Sequence, residues 1–129
     1  MKFLNKKVIL AVLASAFIAL SSTAFAKATG EDKVTAAGQN TIIKIEEALS
    51  LAEKGADKDA IIKSINEARQ SQKEFRYEIT ERQRDRANNK LKAARDAYLK
   101  GEMQPAEASL REALAGYIEI KAIYDANHK

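Results

Sequence analysis

Three arginines alternate with other polar residues in one short stretch of this 129-residue chain. Arg82, Arg84 and Arg86 lie within TERQRDRANNK, residues 80–90, where only one residue in eleven is apolar. Guanidinium groups bind carboxylate and phosphate oxygens through paired hydrogen bonds, so the segment could hold an anion or a partner protein. It also fits a solvated helix start with intrahelical ion pairs, and charge runs of this kind are more often solvated faces.

A second candidate site lies near the carboxyl end, where His128, the only histidine, follows Asp125 by three residues. On a helix this spacing places both side chains on one face, so they could supply two ligands to one divalent metal ion. A cation at a helix C-terminus is also expected from the helix dipole alone. Both interpretations stay open.

The chain offers little for catalysis or for a covalently held cofactor. It has no cysteine, which excludes thiolate metal sites, thiol redox chemistry and haem attached through paired cysteines. It has no second histidine to act as a base and no glycine-rich phosphate loop. We therefore expect a non-enzymatic protein without a cofactor, and a divalent metal ion remains open as a ligand.

Residues 1–26 have the pattern of a secretory signal peptide. Three lysines precede an apolar run of 13 residues, VILAVLASAFIAL, and the segment ends in Ala-Phe-Ala at residues 24–26. The run is shorter than the roughly 20 residues of a membrane-spanning helix. We expect cleavage after Ala26, export to the periplasm, and one mature domain of residues 27–129.

Removing this segment changes the charge argument. Three of the 22 basic residues and none of the 18 acidic residues lie in residues 1–26. Residues 27–129 therefore have 19 basic and 18 acidic residues, which gives a net charge of +1. Without a net positive field there is little electrostatic free energy for binding nucleic acid. There is equally no polybasic patch for a membrane surface, so neither nucleic acid nor membrane is expected as a partner.

The clearest structural pattern is a helical hairpin at residues 91–114. Apolar residues recur at helical spacing on both sides of Gly101, which indicates one buried face on each helix. Gly101 is the expected C-terminal glycine of the first helix. Pro105 is the expected first residue of the second helix, with Gln104 as its cap.

The preceding segment, residues 42–75, repeats this design around Gly55. Aligning Gly55 with Gly101 superposes the apolar positions before the turn, and an offset smaller by one residue superposes those after it, which predicts two similar hairpins. Asp57 is the expected N-cap of the helix after Gly55. Residues 27–40 are small and polar, and we expect the beginning of this stretch to be loose.

The connection between the hairpins is not marked by a glycine or proline, since neither occurs between Gly55 and Gly101. The apolar register nevertheless shifts there, because the phase of the second helix would bury Arg86, whereas a new apolar stripe begins at Ala87. A bend near residues 74–79 therefore predicts an all-α, up-down-up-down four-helix bundle made of two similar hairpins. A continuous helix would instead predict a dimer built on long helices, so a monomer and a dimer both stay open.

The segments EALSLAEKGADKDAIIKSINEARQ and DAYLKGEMQPAEASLREAL resemble the small metal-binding protein family of exported four-helix bundles. The resemblance covers most of residues 27–129 and implies an exported bundle that binds divalent metals. The family's metal ligands are histidines, and here the equivalent positions hold residues such as Leu51, Ala56 and Ser64. The bundle is also similar to four-helix b-type cytochromes, but the one methionine of residues 27–129, Met103, lies in a turn, so haem is not expected.

Two functional hypotheses follow. The first is a small exported binding protein that binds or buffers metal in the periplasm, with Asp125 and His128 as candidate ligands. The second is an envelope protein-protein interaction or chaperone-like module that uses Arg82, Arg84 and Arg86 on a polar helix face.

Overall fold

The computed structural model describes residues 30–128. The chain divides into two units, residues 1–32 and residues 33–129. Of the first unit, only Gly30–Asp32 are described, and they form the beginning of the first helix. The predicted signal peptide, residues 1–26, lies outside the described residues. Within them the chain forms four α-helices and one 3₁₀ turn: α1 (Gly30–Glu53), α2 (Lys58–Gln72), the 3₁₀ turn (Glu78–Thr80), α3 (Glu81–Leu99) and α4 (Met103–Asn127).

The predicted up-down-up-down four-helix bundle is confirmed. A polar side-chain contact joins each of four helix pairs, α1 with α2, α2 with α3, α3 with α4 and α4 with α1: Ser64–Glu47, Arg69–Asn88, Lys90–Glu112 and Arg111–Glu53. None of the described helices combines the length and the apolar character that crossing a bilayer requires.

The core is built from branched aliphatic side chains interleaved with alanine. Each helix contributes a fully buried alanine, and such small residues let neighbouring helices approach closely. Burying one of the larger aliphatic side chains contributes about 1.5–3 kcal/mol. The fully buried alanines and aliphatic residues are Ala48, Ala68, Ala94, Ala106, Ala113, Ile45, Ile61, Ile65, Leu91, Leu110 and Ile120.

Both hairpins close with the same backbone motif, which confirms the predicted repeat. Gly55 and Gly101 have φ angles of 69° and 80°, in the region that favours glycine. In the first turn the N–H of Gly55 donates to the carbonyl of Ala52, at 3.1 Å. The N–H of Ala56 donates to the carbonyl of Leu51, at 2.9 Å. The turn at Gly101 repeats both bonds, so each glycine ends its helix in a Schellman motif.

The beginning of residues 27–40, which we expect to be loose, lies outside the described residues as far as residue 29. Residues 30–40 are helical, and Gly38 is buried. A Cβ atom at position 38 would lie 2.8 Å from two ring carbons of Phe75. This glycine therefore marks a packing site, because the missing side chain admits an aromatic ring against α1.

Of the two predicted helix starts, the start of α2 agrees with the structure and the start of α4 does not. Asp57 precedes α2 as predicted, yet its side chain makes no capping hydrogen bond. α4 begins at Met103, after Glu102, so neither Gln104 nor Pro105 has the predicted position. Pro105 is the third helical residue, where its missing N–H still costs no intrahelical hydrogen bond.

The predicted bend between the hairpins is confirmed. α2 ends at Gln72 and α3 begins at Glu81. The backbone of Tyr77 between them is extended, with φ −153° and ψ 116°. Since no glycine or proline causes this break, its origin lies in side-chain contacts.

Candidate functional site

Arg84 provides the main contact across the bend, and only 11 % of its side chain is exposed. Its Nη1 donates to the backbone carbonyl of Gln72 at 3.1 Å and to Gln72 Oε1 at 3.2 Å. Its Nε and Nη2 donate to the two carboxylate oxygens of Glu81, at 3.3 and 3.0 Å. One guanidinium thus ties the last residue of α2 to the first residue of α3 through a paired, charge-assisted contact.

The same contact extends to α4 through a buried polar pair. Gln72 is buried, and its Oε1 also accepts a hydrogen bond from the Tyr117 hydroxyl, at 3.1 Å. Tyr117 is fully buried, and this burial raises the pKa of its hydroxyl far above the ordinary value. The neutral hydroxyl is therefore the form that the bundle holds.

Tyr98 and Tyr117 form a matched pair for testing this polar contact. Both are fully buried, but the Tyr98 hydroxyl has no hydrogen-bond partner among residues 30–128. We expect Tyr117→Phe to lower the free energy of unfolding by about 1 kcal/mol, and Tyr98→Phe to leave it unchanged or raise it. Urea unfolding of both variants checks this; equal losses in the two would contradict the assigned contact.

Glu81 is the acidic partner in the bend. Its Oε2 accepts the N–H of Tyr77 at 3.4 Å, and its Oε1 lies 3.3 Å from Nη2 of Arg76. The hydrogen bonds from Arg84 hold the pKa of Glu81 below its ordinary value, and Tyr77 and Arg76 act in the same direction. Burial opposes this shift but does not overcome it.

The depressed pKa of Glu81 predicts a loss of stability in acid. The unfolded chain protonates this residue near its ordinary value of about 4.3, before the folded protein does. The contribution is therefore present above that pH and is lost as the pH falls through the lower, folded pKa. We expect the free energy of unfolding to fall less steeply between pH 5 and pH 3 in Glu81→Gln than in the wild type.

Urea unfolding at pH 6, 5, 4 and 3 measures this dependence. Glu112→Gln is the control, because Glu112 makes an exposed ion pair with Lys90 on the bundle surface. If Glu81→Gln and Glu112→Gln show the same pH dependence, the acid sensitivity does not arise in the bend.

The three arginines predicted as one binding surface separate into two groups. Arg84 turns inward, and its i, i+3 pair with Glu81 is one of the intrahelical ion pairs that the sequence suggested. Arg82 and Arg86 are exposed, and neither has an ion pair or hydrogen bond with the described residues. Only these two are available to a partner.

An exposed apolar side chain lies beside these two arginines. Ile79 is 69 % exposed, the most of any large apolar residue in the described part of the chain. Arg82 and Arg86, at i, i+4 spacing, lie on one face at the start of α3, and Ile79 precedes them in the 3₁₀ turn. We call these three residues the bend surface.

The end of α4 packs against the bend through aromatic rings. Tyr124 meets Phe75 and Tyr77 edge to face, with ring centroids 6.1 and 5.4 Å apart. His128 stacks on Tyr124 at 3.9 Å and meets Tyr77 edge to face. Such pairs add about 0.5–1.5 kcal/mol beyond their buried area. Sequence reasoning missed this cluster, because its rings come from segments that are far apart in the chain.

The two predicted metal ligands each have other contacts. Asp125 Oδ2 accepts a hydrogen bond from Lys121 Nζ at 2.6 Å. His128 Nδ1 lies 2.7 Å from the Tyr124 carbonyl oxygen. Among the described residues, no three histidine, cysteine, aspartate or glutamate side chains lie close enough to hold one metal ion. The pair therefore offers two ligands, one of them already bound to a lysine.

Comparison with known proteins gives no match to a family model, to a curated protein or to a solved structure. Function must therefore be inferred from the side chains that this chain presents.

Proposed function

We propose that this chain is a small, exported, non-enzymatic binding protein that binds another protein of the cell envelope through the bend surface. The observation that supports this most directly is the exposure of Ile79 beside Arg82 and Arg86, which have no partner among the described residues. Export rests on the signal-peptide pattern of residues 1–26.

The chemistry of the bend surface suits protein recognition. An apolar side chain with arginines beside it is a combination enriched at protein interfaces. Contacts within the bend, from Arg84 and from the ring of Tyr77, fix the backbone that carries the bend surface. A rigid surface loses less conformational entropy on binding. The two arginines would mainly set the orientation and rate of association.

Two variants test this surface without disturbing the fold. We expect Arg82→Gln/Arg86→Gln and Ile79→Ser to change the free energy of unfolding by less than about 0.5 kcal/mol, since all three side chains are exposed. Immobilised wild-type protein should capture a specific partner from periplasmic extract at low salt, and both variants should lose it.

Lys92→Gln is the matched control, because Lys92 is an exposed cation farther along α3. Retention of the partner by the control and its loss from both variants support the bend surface. Unchanged capture by the Ile79 and arginine variants places binding elsewhere. Mass spectrometry of the exported protein tests the other part of the proposal, which requires a chain that begins at Lys27.

A second candidate function, divalent metal binding, is favoured by the tautomer of His128. A carbonyl oxygen can only accept, so the contact with Tyr124 places the proton of the neutral ring on Nδ1. Nε2 then carries the lone pair, as in histidines that bind metals while donating to a backbone carbonyl. Asp125, three residues earlier in the chain, would be the second ligand.

Calorimetry on residues 27–129 tests the metal candidate with zinc, copper, nickel, calcium and manganese. His128→Gln is the control for any heat that is observed. Binding that disappears in this variant supports the pair Asp125 and His128, and the absence of heat with all five metals removes the candidate.

A further inference from the structure

The break between α2 and α3 is narrow. Helix-type backbone hydrogen bonds continue past α2 to the N–H of Phe75 and resume at the N–H of Thr80. The extended backbone of Tyr77 lies between them. No glycine or proline occurs from residue 56 to residue 100, so nothing in the covalent geometry prevents a helix from running through the bend.

One ion pair replaces two hydrogen bonds that a continuous helix would make. In such a helix the carbonyl of Gln72 would accept the N–H of Arg76, and here it accepts Nη1 of Arg84 together with the N–H of Phe75. The N–H of Tyr77 would donate to the carbonyl of residue 73, and here it donates to Glu81. Because Arg84 and Glu81 also bind each other, their contact holds the bend closed.

From these contacts we infer that the α2–α3 connection is a hinge, and that its partner in the open form is a second copy of this chain. Two molecules exchange hairpins, so that α1 and α2 of one pack on α3 and α4 of the other. In each molecule α2 and α3 become one helix of about 63 Å, at 1.5 Å per residue. This exchange goes beyond the proposed function and does not depend on it.

A second copy fits because exchange preserves the contacts between the hairpins. The bonds Gln72–Tyr117 and Arg69–Asn88 join α2 to the second hairpin in the monomer, and a swapped dimer makes both of them between molecules. Only the contacts made by the bend residues, which include the rings of Phe75 and Tyr77 against Tyr124, differ between the two forms. This condition makes domain swapping a low-cost route to a dimer.

The register of the apolar residues agrees with the open form. Ile79 continues the buried stripe of α2, which includes Ile65, Ala68 and Gln72, at helical spacing. In the monomer the bend turns Ile79 out to solvent, whereas in the open form the two long helices cross at residues 73–80 and bring Ile79 against the partner. Exchange would therefore cover Ile79, which has the highest exposed fraction of any large apolar side chain among the described residues.

The buried apolar faces of α2 and α3 are rotated relative to each other, and this rotation is also compatible with exchange. From Gln72 to Ala87 a continuous helix turns the buried face by roughly 60°, at 3.6 residues per turn. In a monomer both stripes must face one core, which requires the bend. In a swapped dimer each stripe faces a different bundle, so the shift only rotates one bundle relative to the other.

Sedimentation of Arg84→Met tests the hinge, with Arg82→Met as the matched control. After refolding at 1 mM, the Arg84 variant should form dimers with a dissociation constant at least tenfold below that of the wild type and of the control. Adding Glu78→Pro should restore the monomer. A proline there fits the first position of the 3₁₀ turn after extended Tyr77, but it interrupts a continuous helix.

Spin labels identify the form of the dimer, and the absence of native cysteine makes labelling specific. With cysteines at the exposed positions Asn66 and Lys92, a molecule with a continuous helix gives an intrachain distance of about 40 Å, measured with labelled chains diluted into unlabelled ones. The closed hairpin gives a clearly shorter distance. If Arg84→Met does not fold, Glu81→Gln and refolded wild type provide the same two measurements.

The hinge is refuted if folded Arg84→Met stays monomeric at 1 mM. It is also refuted if the Arg84→Met dimer persists after Glu78→Pro is added, or if the spin labels in that dimer keep the short intrachain distance. A monomeric Glu78→Pro variant that still captures a partner separates this hinge from the proposed function, because the bend surface remains in place. Loss of capture with normal dimer formation would refute the proposed function alone.

Discussion

Arg84→Met should lower the free energy of unfolding by about 2–4 kcal/mol at micromolar concentration, whereas Arg82→Met should change it by less than about 0.5 kcal/mol. Methionine keeps most of the aliphatic length of arginine but donates no hydrogen bond. The backbone carbonyl of Gln72 then loses its contact across the bend, and Glu81 loses its paired donor. Since the side chain of Arg84 is largely buried, water replaces these bonds poorly.

Urea unfolding of the two variants at pH 7 measures this difference. Arg86→Met is a second control, because Arg86 is an exposed arginine one turn beyond Arg82. Equal losses at Arg84 and Arg82 would mean that the contacts with Gln72 and Glu81 contribute little. The contrast also shows why the three arginines must not be replaced together: such a variant mixes a structural effect with an effect on binding.

Local spacing was enough to predict the bundle. The glycines at positions 55 and 101 ended their helices as expected, because a left-handed residue after a helix is a local requirement. The four buried faces followed from apolar periodicity for the same reason. The bend was predicted from the change in register, even though no residue type marks it.

The role of Arg84 could not be predicted from residue type or spacing. Arg82, Arg84 and Arg86 have the same chemistry, and which one turns inward depends on how α3 is rotated relative to α2. One residue with an extended backbone, Tyr77, helps to set that rotation. A signal was nevertheless available in Gln72, because a glutamine on an apolar stripe requires a buried polar partner.

Residue type and spacing were also insufficient to predict the contacts of the two candidate metal ligands near the carboxyl end. Helical spacing predicted Asp125 and His128 on one face, but α4 ends at Asn127, and His128 has non-helical backbone angles of φ −129° and ψ 40°. Spacing could not show that His128 would stack on Tyr124, or that Lys121 would bind Asp125. These contacts depend on rotamers and on a bend elsewhere in the chain.

Phe75→Ala should be the most destabilising single substitution that we propose, with a loss of about 3–5 kcal/mol. The ring is fully buried, fills the space above Gly38 and meets Tyr124 edge to face. Its removal leaves a cavity at the point where α1, the bend and α4 meet. Thermal and urea unfolding measure the loss; a value below about 1 kcal/mol would mean that neighbouring side chains collapse into the space.

Gly38 provides a sharper test of the same contact, because the effect of one substitution should change sign. In the wild type, Gly38→Ala gains about 1 kcal/mol of helix propensity but places a Cβ atom 2.8 Å from the ring of Phe75. Overpacking of this kind costs about 1–3 kcal/mol, so we expect a net loss. In a Phe75→Leu background the two ring carbons nearest to that Cβ atom are absent, and Gly38→Ala should be neutral or stabilising. A double-mutant cycle by urea unfolding measures the difference between the effects of Gly38→Ala in the two backgrounds. A coupling energy near zero would show that the ring of Phe75 is not the reason for a glycine at position 38.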